Sequence, residues 1–207
     1  MKTIKFLFLS IFLISIMSCS NDDDNNVLLE VQTETVLNLH APQSGGQGQP
    51  ISGAFTKFSF ETGAITTSET DWDIAFRGTT IIVNGGQSLG TNDEPERTGN
   101  AAAYIANGTM ASVTEVDTDL LVSDSANGYA IPAGSGNGWY LYNQQLFLVT
   151  PIAGKILVFR THDGRYAKVE ILSYYKDAPE NPNAMVDEGR YYTFNYVYQP
   201  NQDITIF

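Results

Sequence analysis

The sequence of 207 residues contains a single cysteine, Cys19. A disulfide bond within one chain needs two cysteines, so none can stabilise this protein. Because Cys19 lies close to the N-terminus, thiol catalysis and cysteine-ligated metal sites are also excluded for the residues that follow. Stability must therefore come from packing, for which 11 Tyr, 11 Phe and 2 Trp supply large apolar side chains.

Basic residues are also scarce. The chain has 11 Lys and Arg against 23 Asp and Glu, which gives a formal net charge of −12. Nucleic-acid phosphates and anionic lipid headgroups both attract basic surfaces. We therefore expect no nucleic-acid partner and no electrostatic binding to bare anionic lipid.

The apolar run near the N-terminus, residues 6–17, is too short to span a bilayer as a permanent helix. It follows two lysines and ends near small residues, which is the pattern of a secretory signal. Residues 16–19, IMSC, resemble the lipobox of bacterial lipoproteins, in which the cysteine becomes the first mature residue and carries acyl chains. This predicts a signal peptide over 1–18 and a membrane anchor at Cys19. The alternative is an ordinary secretory signal with a chance cysteine.

Residues 20–26, SNDDDNN, contain no apolar side chain and cannot pack, so they predict a solvated tether. The run also resembles the acidic export tag of Bacteroidetes surface lipoproteins, which implies a location on the outer membrane with exposure at the cell surface. The chain then divides into a signal peptide (1–18), an acylated cysteine with an acidic tether (19–28) and one domain (29–207).

The rest of the chain favours strands and shows no convincing helical period. Apolar and polar residues alternate over 29–39, 72–77 and 167–171, which is typical of half-buried strands. Stretches rich in Gly, Pro, Ser and Asn predict loops between the strands: these are 41–53, 87–100, 117–138 and 176–189. Seven to ten strands in fewer than 180 residues imply an all-β domain, built as one twisted sheet or in a sandwich-like manner.

Four segments together resemble the HmuY family of Bacteroidetes haem-binding lipoproteins. They are 58–63 (FSFETG), 70–77 (TDWDIAFR) with the NGG turn beyond it, 138–142 (GWYLY), and 156–169 with its Asp-Gly hairpin turn. The resemblance implies a twisted all-β fold. It also implies capture of haem outside the cell and its transfer to an outer-membrane, TonB-dependent receptor. The iron would be held by two axial ligands placed on loops or hairpins at one end of the sheet.

The histidines that ligate iron in the haem-binding members have no counterpart at the matching positions. Asn143 and Gln144 follow the Gly-Trp strand, and the segment after 101–106 contains no histidine. Some members use methionine, which makes Met110 a candidate ligand. Gln144 lies where the second histidine would be, and Tyr142 could line or ligate a porphyrin. The candidate haem-site positions are therefore Met110, Gln144 and Tyr142.

Three further residues carry side chains that can ligate haem iron. His40 ends the first predicted strand and His162 lies in the hairpin turn, where each is more simply a surface or turn histidine. Met185, in a Pro-rich loop, is a weaker candidate than Met110.

No enzyme signature is present, and no metal site is predicted. Asp71 and Asp73 flank Trp72, but glycosidase carboxylates normally come from different elements, so we interpret Asp73 as the partner of Arg77 on the outer face, with Trp72 in the core. Two functions remain open. One is an HmuY-like lipoprotein that captures haem or another flat apolar ligand. The other is a lipoprotein that recognises a protein or polysaccharide through loops 85–100 and 117–138.

Overall fold

The computed structural model describes residues 28–46 and 48–207. The predicted signal peptide, Cys19 and the acidic run that follows it lie outside the described residues. What is described is almost entirely strand and turn, as the period-two patterns predict. None of its helices is long and apolar enough to cross a membrane.

The described residues form thirteen strands and one short 3-10 helix, Thr118–Leu120. The strands are β1 (Gln32–His40), β2 (Ser44–Gly46), β3 (Gln49–Ser52), β4 (Thr56–Ser59), β5 (Ala64–Thr66), β6 (Ile74–Arg77), β7 (Thr80–Val83), β8 (Ala102–Asn107), β9 (Tyr140–Asn143), β10 (Leu148–Pro151), β11 (Lys155–Arg160), β12 (Tyr166–Tyr175) and β13 (Gly189–Gln199). The 41–53 segment was predicted to be a loop but contains the small β2–β3 hairpin.

Two antiparallel sheets build the domain. The large sheet has the order β1-β13-β12-β11-β8, and the small sheet has the order β5-β4-β6-β7. The β11–β12 hairpin turns at the predicted Asp163-Gly164 pair, where Gly164 adopts a φ of +96°. A third unit, the two-stranded β9–β10 hairpin, lies outside both sheets. The all-β, sandwich-like prediction is confirmed.

The main core lies between the inner faces of the two sheets. Its side chains come from alternate positions on facing strands, as two-residue periodicity requires. Phe58 and Phe60 of the small sheet contact Phe194 and Tyr196 of the large sheet through edge-to-face and tilted ring pairs 5.5–5.8 Å apart. Aromatic packing thus supplies the stability that the absence of disulfides demands.

The outer face of the small sheet is covered by the predicted loops 87–100 and 117–138. A buried ionic cluster holds them: Arg97 contacts Glu94 at 2.6 Å and Asp124 at 2.9 Å, and all three side chains are at most 1% exposed. Asp124 also accepts hydrogen bonds from the backbone N–H groups of Val83 (3.1 Å) and Ala130 (2.8 Å). The loops are therefore packed covers over Trp72, not free surface segments.

The predicted Asp73–Arg77 pair is wrong. Arg77 is buried and donates to the carbonyl oxygens of Gly53 and Asn92 and to the hydroxyl of Thr91. Its guanidinium lies over the ring of Phe55, 4.1 Å from the centroid. Residues 73 and 77 have the parity of one strand face, which suggested that their side chains meet, but the loops that cover this face supply closer acceptors for Arg77. Trp72 is fully buried, as predicted.

Candidate functional site

The β9–β10 hairpin is rigidly attached to the domain at its base. Trp139 is buried, and its indole Nε1 donates to the carbonyl oxygen of Thr79 at 3.0 Å. Trp139 also packs against the rings of Tyr174 and Tyr192, with centroids 5.9 and 5.1 Å away. On the second strand, the Val149 N–H donates to the Tyr175 hydroxyl at 3.0 Å. The base thus fixes the direction in which the hairpin projects.

The tip of this hairpin exposes large apolar side chains. The Asn143 carboxamide oxygen accepts from the N–H groups of Gln145 and Leu146, both at 3.0 Å, and shapes the turn. Phe147 then adopts a φ of +55°, a region that aromatic residues rarely occupy. The side chains of Leu146 and Phe147 are 61% and 60% exposed. Backbone strain and exposure at one turn are typical of functional positions.

A second turn beside the tip, in the connection between β12 and β13, also exposes large apolar side chains. The Asn183 N–H donates to the Asp187 carboxylate at 2.6 Å, and the Asn183 carbonyl oxygen accepts from Val186 and Asp187. This closed turn leaves Met185 and Val186 79% and 80% exposed. The exposed apolar side chains of the β9–β10 hairpin and of this second turn are called here the hairpin end: Leu141, Tyr142, Leu146, Phe147, Met185 and Val186.

Two grooves flank Phe147. One runs between the hairpin tip and the second turn, where Phe147 and Leu146 face Pro182 and Met185. The other also has Phe147 in its wall, with His40, Tyr174 and Tyr175. The first groove is largely apolar, whereas the second also contains the charged residues Asp187, Glu188 and Arg190. Met185 lines the first groove and His40 lines the second, and both side chains can ligate haem iron.

The tyrosines of the second groove are neutral phenols at physiological pH. Burial raises the pKa of Tyr174 to about 12, and burial likewise raises the pKa of Tyr175. A buried phenol in this state offers an aromatic face but no phenolate oxygen. The groove therefore combines aromatic rings with the charged side chains of Asp187, Glu188 and Arg190.

The three predicted haem-site residues do not lie together. Tyr142 and Gln144 line one shallow groove on the hairpin, which Gln145 connects to the groove containing Met185. Met110 lies elsewhere, on the outer face of the large sheet, where it packs with Val113 and Ile156. In the part of the chain that the structure describes, no group of three His, Cys, Asp or Glu side chains could hold a metal ion.

The Trp-Asp motif that carries the family resemblance has a structural role. Asp73 is buried; its carboxylate accepts from the Phe60 N–H at 2.7 Å and from the His162 N–H at 3.0 Å. The same carboxylate lies 2.7 Å from His162 Nδ1. Asp73 therefore joins the small sheet to the β11–β12 turn. Asp71, in contrast, is exposed and bonds to Ser68 and Thr70, so the two carboxylates form no pair.

The Asp73–His162 contact predicts a pH-dependent stability. The hydrogen bond that the His162 imidazole donates to Asp73, together with the charges of Asp73, Asp163 and Asp71, raises the pKa of His162 above its usual 6.5, although burial opposes this. The stabilisation is thus complete below about pH 6.5 and is lost as pH rises through the higher folded-state pKa. We expect the free energy of unfolding, measured by urea titration, to fall by on the order of 1 kcal/mol, since the partly exposed imidazole is screened by solvent.

The matched control is His162→Gln, which keeps a polar side chain but cannot gain a proton. Between pH 6 and pH 9 its stability should change less than that of the wild type. Equal changes in the two proteins would show that the imidazole does not titrate against Asp73.

A model of the HmuY protein family matches residues 53–196. The chain therefore belongs to the HmuY family, and the family prediction is confirmed. No curated protein matches the chain.

Solved structures are also similar to this chain. The apo HmuY analogue TFO of Tannerella forsythia superposes with a TM-score of 0.51 at 14% identity, covering 85% of this chain and 100% of that one. A Bacteroides fragilis protein gives 0.47 at 15% identity, covering 84% and 95%. A Bacteroides vulgatus protein assigned as HmuY-like and haem-binding gives 0.45 at 15% identity, covering 84% and 97%.

Proposed function

We propose that this HmuY-family protein captures haem, or another flat apolar ligand, on the hairpin end. The single observation that carries the proposal is the set of large apolar side chains displayed by two neighbouring turns on a rigid base. A soluble domain rarely exposes contiguous apolar side chains unless a ligand or partner covers them. Family membership supports haem as the first ligand to test.

The groove between the hairpin tip and the second turn suits a planar ligand, because its lining is mostly apolar. A porphyrin presents two apolar faces with a hydrophilic edge, so it needs apolar walls and an open rim. Leu146, Phe147 and Met185 supply one wall, and the Tyr174 ring supplies part of the other groove. Met185 is the thioether that lines the first groove, and His40, stacked on Tyr191 with ring centroids 4.5 Å apart, is the imidazole that lines the second.

The location follows from the sequence and stays part of the proposal. Acyl chains on Cys19 would hold the protein on the outer membrane at the cell surface, and the tether would let the domain reach its ligand. Delivery to an outer-membrane, TonB-dependent receptor is the corresponding partner interaction. Binding requires no catalytic residue, and we propose a non-enzymatic role.

The alternative function, recognition of a protein or polysaccharide through loops 85–100 and 117–138, has less support. Those loops are held by the buried Arg97–Asp124 pair and cover the small sheet. Ala130 and Ile131, in the middle of the second loop, are buried. A partner would therefore meet a fixed surface, on which Leu120 and Val122 are the exposed large apolar side chains.

Titration with haem tests the proposal. We expect the purified protein to shift the Soret band of ferric or ferrous haem, and to quench the fluorescence of metal-free protoporphyrin, because the apolar walls contact the macrocycle whether or not iron is present. Met185→Leu keeps the apolar wall and removes the sulfur. It should change the haem spectrum and leave protoporphyrin affinity within about twofold.

His40→Gln serves as the second ligand variant. If either donor binds iron, its variant alters the Soret position, while binding without any spectral difference would mean that the walls alone hold the ligand. Absence of both the Soret shift and the fluorescence change at micromolar protein would exclude a porphyrin ligand for this surface.

A further inference from the structure

Strand β1 (Gln32–His40) forms an open edge of the large sheet. It pairs only with β13, in unbroken register from Gln32↔Tyr198 to Val36↔Phe194. Within residues 28–46 and 48–207, no strand pairs with its other side. The opposite edge strand, β8, differs, because the Ala103 N–H bonds to the Val122 carbonyl oxygen at 2.8 Å. Since alternate backbone groups of an edge strand point away from the sheet, β1 offers free N–H and C=O groups.

An acidic groove lies along the inner face of this edge. Gln32, Glu34 and Val36 form one wall, and the turn after β4, with Glu61 and Gly63, forms the other; Tyr196 lies at the base. A side chain at Gly63 would come within 2.7 Å of the Tyr196 hydroxyl, so only glycine leaves the groove open. Glu34 is paired with Tyr196 across the two strands, so its side chain lies beside this base. Burial, together with the charge of Glu34, raises the pKa of Tyr196.

The outer face of the same edge carries a less charged groove. Thr33 and Thr35 of β1 line it with Asn195 and Val197 of β13, and Glu34 also contributes. Met110 closes its far side. The Thr35 hydroxyl donates to the Asn195 side-chain oxygen at 2.7 Å, which satisfies the polar groups of this wall internally. This groove therefore accepts small or apolar side chains.

We propose that β1 binds an extended segment of a partner protein in which basic residues alternate with apolar ones. The segment would add a strand to the sheet, and its successive side chains would point to opposite faces. Basic side chains would enter the groove of Glu34 and Glu61, and apolar side chains would enter the groove of Met110. This docking edge is separate from the hairpin end and does not depend on the nature of the ligand there.

The two grooves favour this partner over a second copy of the chain. Antiparallel pairing of two β1 strands would bring Glu30 or Glu34 of one copy to the carboxylates of the other. Like charges placed opposite each other across a strand pair are destabilising. The net charge of −12 adds to this repulsion.

Fluorescence anisotropy with a defined peptide tests the proposal. The probe is a labelled eight-residue peptide that alternates lysine and valine; the controls have four lysines followed by four valines, or glutamate in place of lysine. The alternating peptide should bind, and both controls should bind at least about tenfold more weakly. N-methylation at alternate residues removes the backbone donors on one peptide edge and should abolish binding.

The glutamates provide the protein variants. The double variant Glu34→Gln with Glu61→Gln should lower the affinity for the alternating peptide about three- to tenfold. The expected loss is modest because both carboxylates are exposed and partly screened. Glu96→Gln with Glu180→Gln is the matched control: it removes two exposed charges that do not line the groove, and it should change binding by less than about twofold. Similar losses of peptide affinity in both double variants would overturn the proposal, because they would show that the peptide responds to the net charge of the protein and not to this groove.

Amide hydrogen exchange shows where the peptide lies. The amides of residues 32–36 that face outward should exchange rapidly in the free protein and become protected when the peptide is added. If they are already protected in the free protein, a second copy or the chain's own N-terminal residues occupy the edge, and the proposal is overturned. Protection at other strands only, or binding by the N-methylated peptide, would also overturn it.

Discussion

Replacing Asp124 with alanine is expected to lower the free energy of unfolding by about 3 kcal/mol, the lower end of the range for breaking a buried ion pair. Asp124 accepts from Arg97 and from the backbone N–H groups of Val83 and Ala130. Its removal leaves these donors buried without their acceptor. Arg97 retains Glu94 at 2.6 Å, which limits the loss. Urea titration or thermal unfolding measures the change.

Asp124→Asn is the matched variant, because an amide oxygen can still accept from one backbone donor while the charge opposite Arg97 is lost. We expect a smaller loss than for alanine. Glu188→Ala removes an exposed carboxylate that lies 3.3 Å from Lys176, and it should change stability by less than about 1 kcal/mol. If Asp124→Ala behaved like Glu188→Ala, the ionic cluster would not be what holds the loops.

The strands could be predicted because their signal is local. In β12, Ala167, Val169 and Ile171 alternate with Lys168 and Glu170, and all three apolar side chains enter the core. Such a pattern needs no knowledge of the partner strand. The packed loops could not be predicted in this way. Arg97 and Asp124 lie 27 residues apart, and each looks like any surface charge until the chain brings them together in a dry environment.

The placement of the three candidate haem-site residues shows the same contrast between local and long-range signals. Tyr142 and Gln144 lie close together because they share one hairpin, whereas the distance of Met110 from them depends on strand order in the large sheet. Of the hairpin end, the sequence pointed to Tyr142 and, more weakly, to Met185. The other members, Leu141, Leu146, Phe147 and Val186, were missed, although a signal existed. Leu146 and Phe147 occupy a turn, and Met185 and Val186 lie in a polar loop, where apolar residues are unfavourable unless they serve a function.

The replacement Phe147→Asn is expected to separate ligand capture from stability. Phe147 holds a φ of +55°, and asparagine tolerates this region better than an aromatic residue. Because the ring is 60% exposed, its loss removes little core packing. The free energy of unfolding should stay within about 0.5 kcal/mol of the wild type or rise slightly.

The affinity for haem or protoporphyrin should fall about 10- to 100-fold in this variant. Covering an aromatic side chain with an apolar ligand contributes about 1.5–3 kcal/mol, which corresponds to that range. Leu120→Asn removes a side chain of similar exposure far from the hairpin in sequence, and it should leave porphyrin binding unchanged. Equal affinities in wild type and Phe147→Asn would place the ligand elsewhere. A joint loss of stability and binding would instead mean that the ring supports the turn, because only a contact with the ligand predicts weaker binding on an equally stable fold.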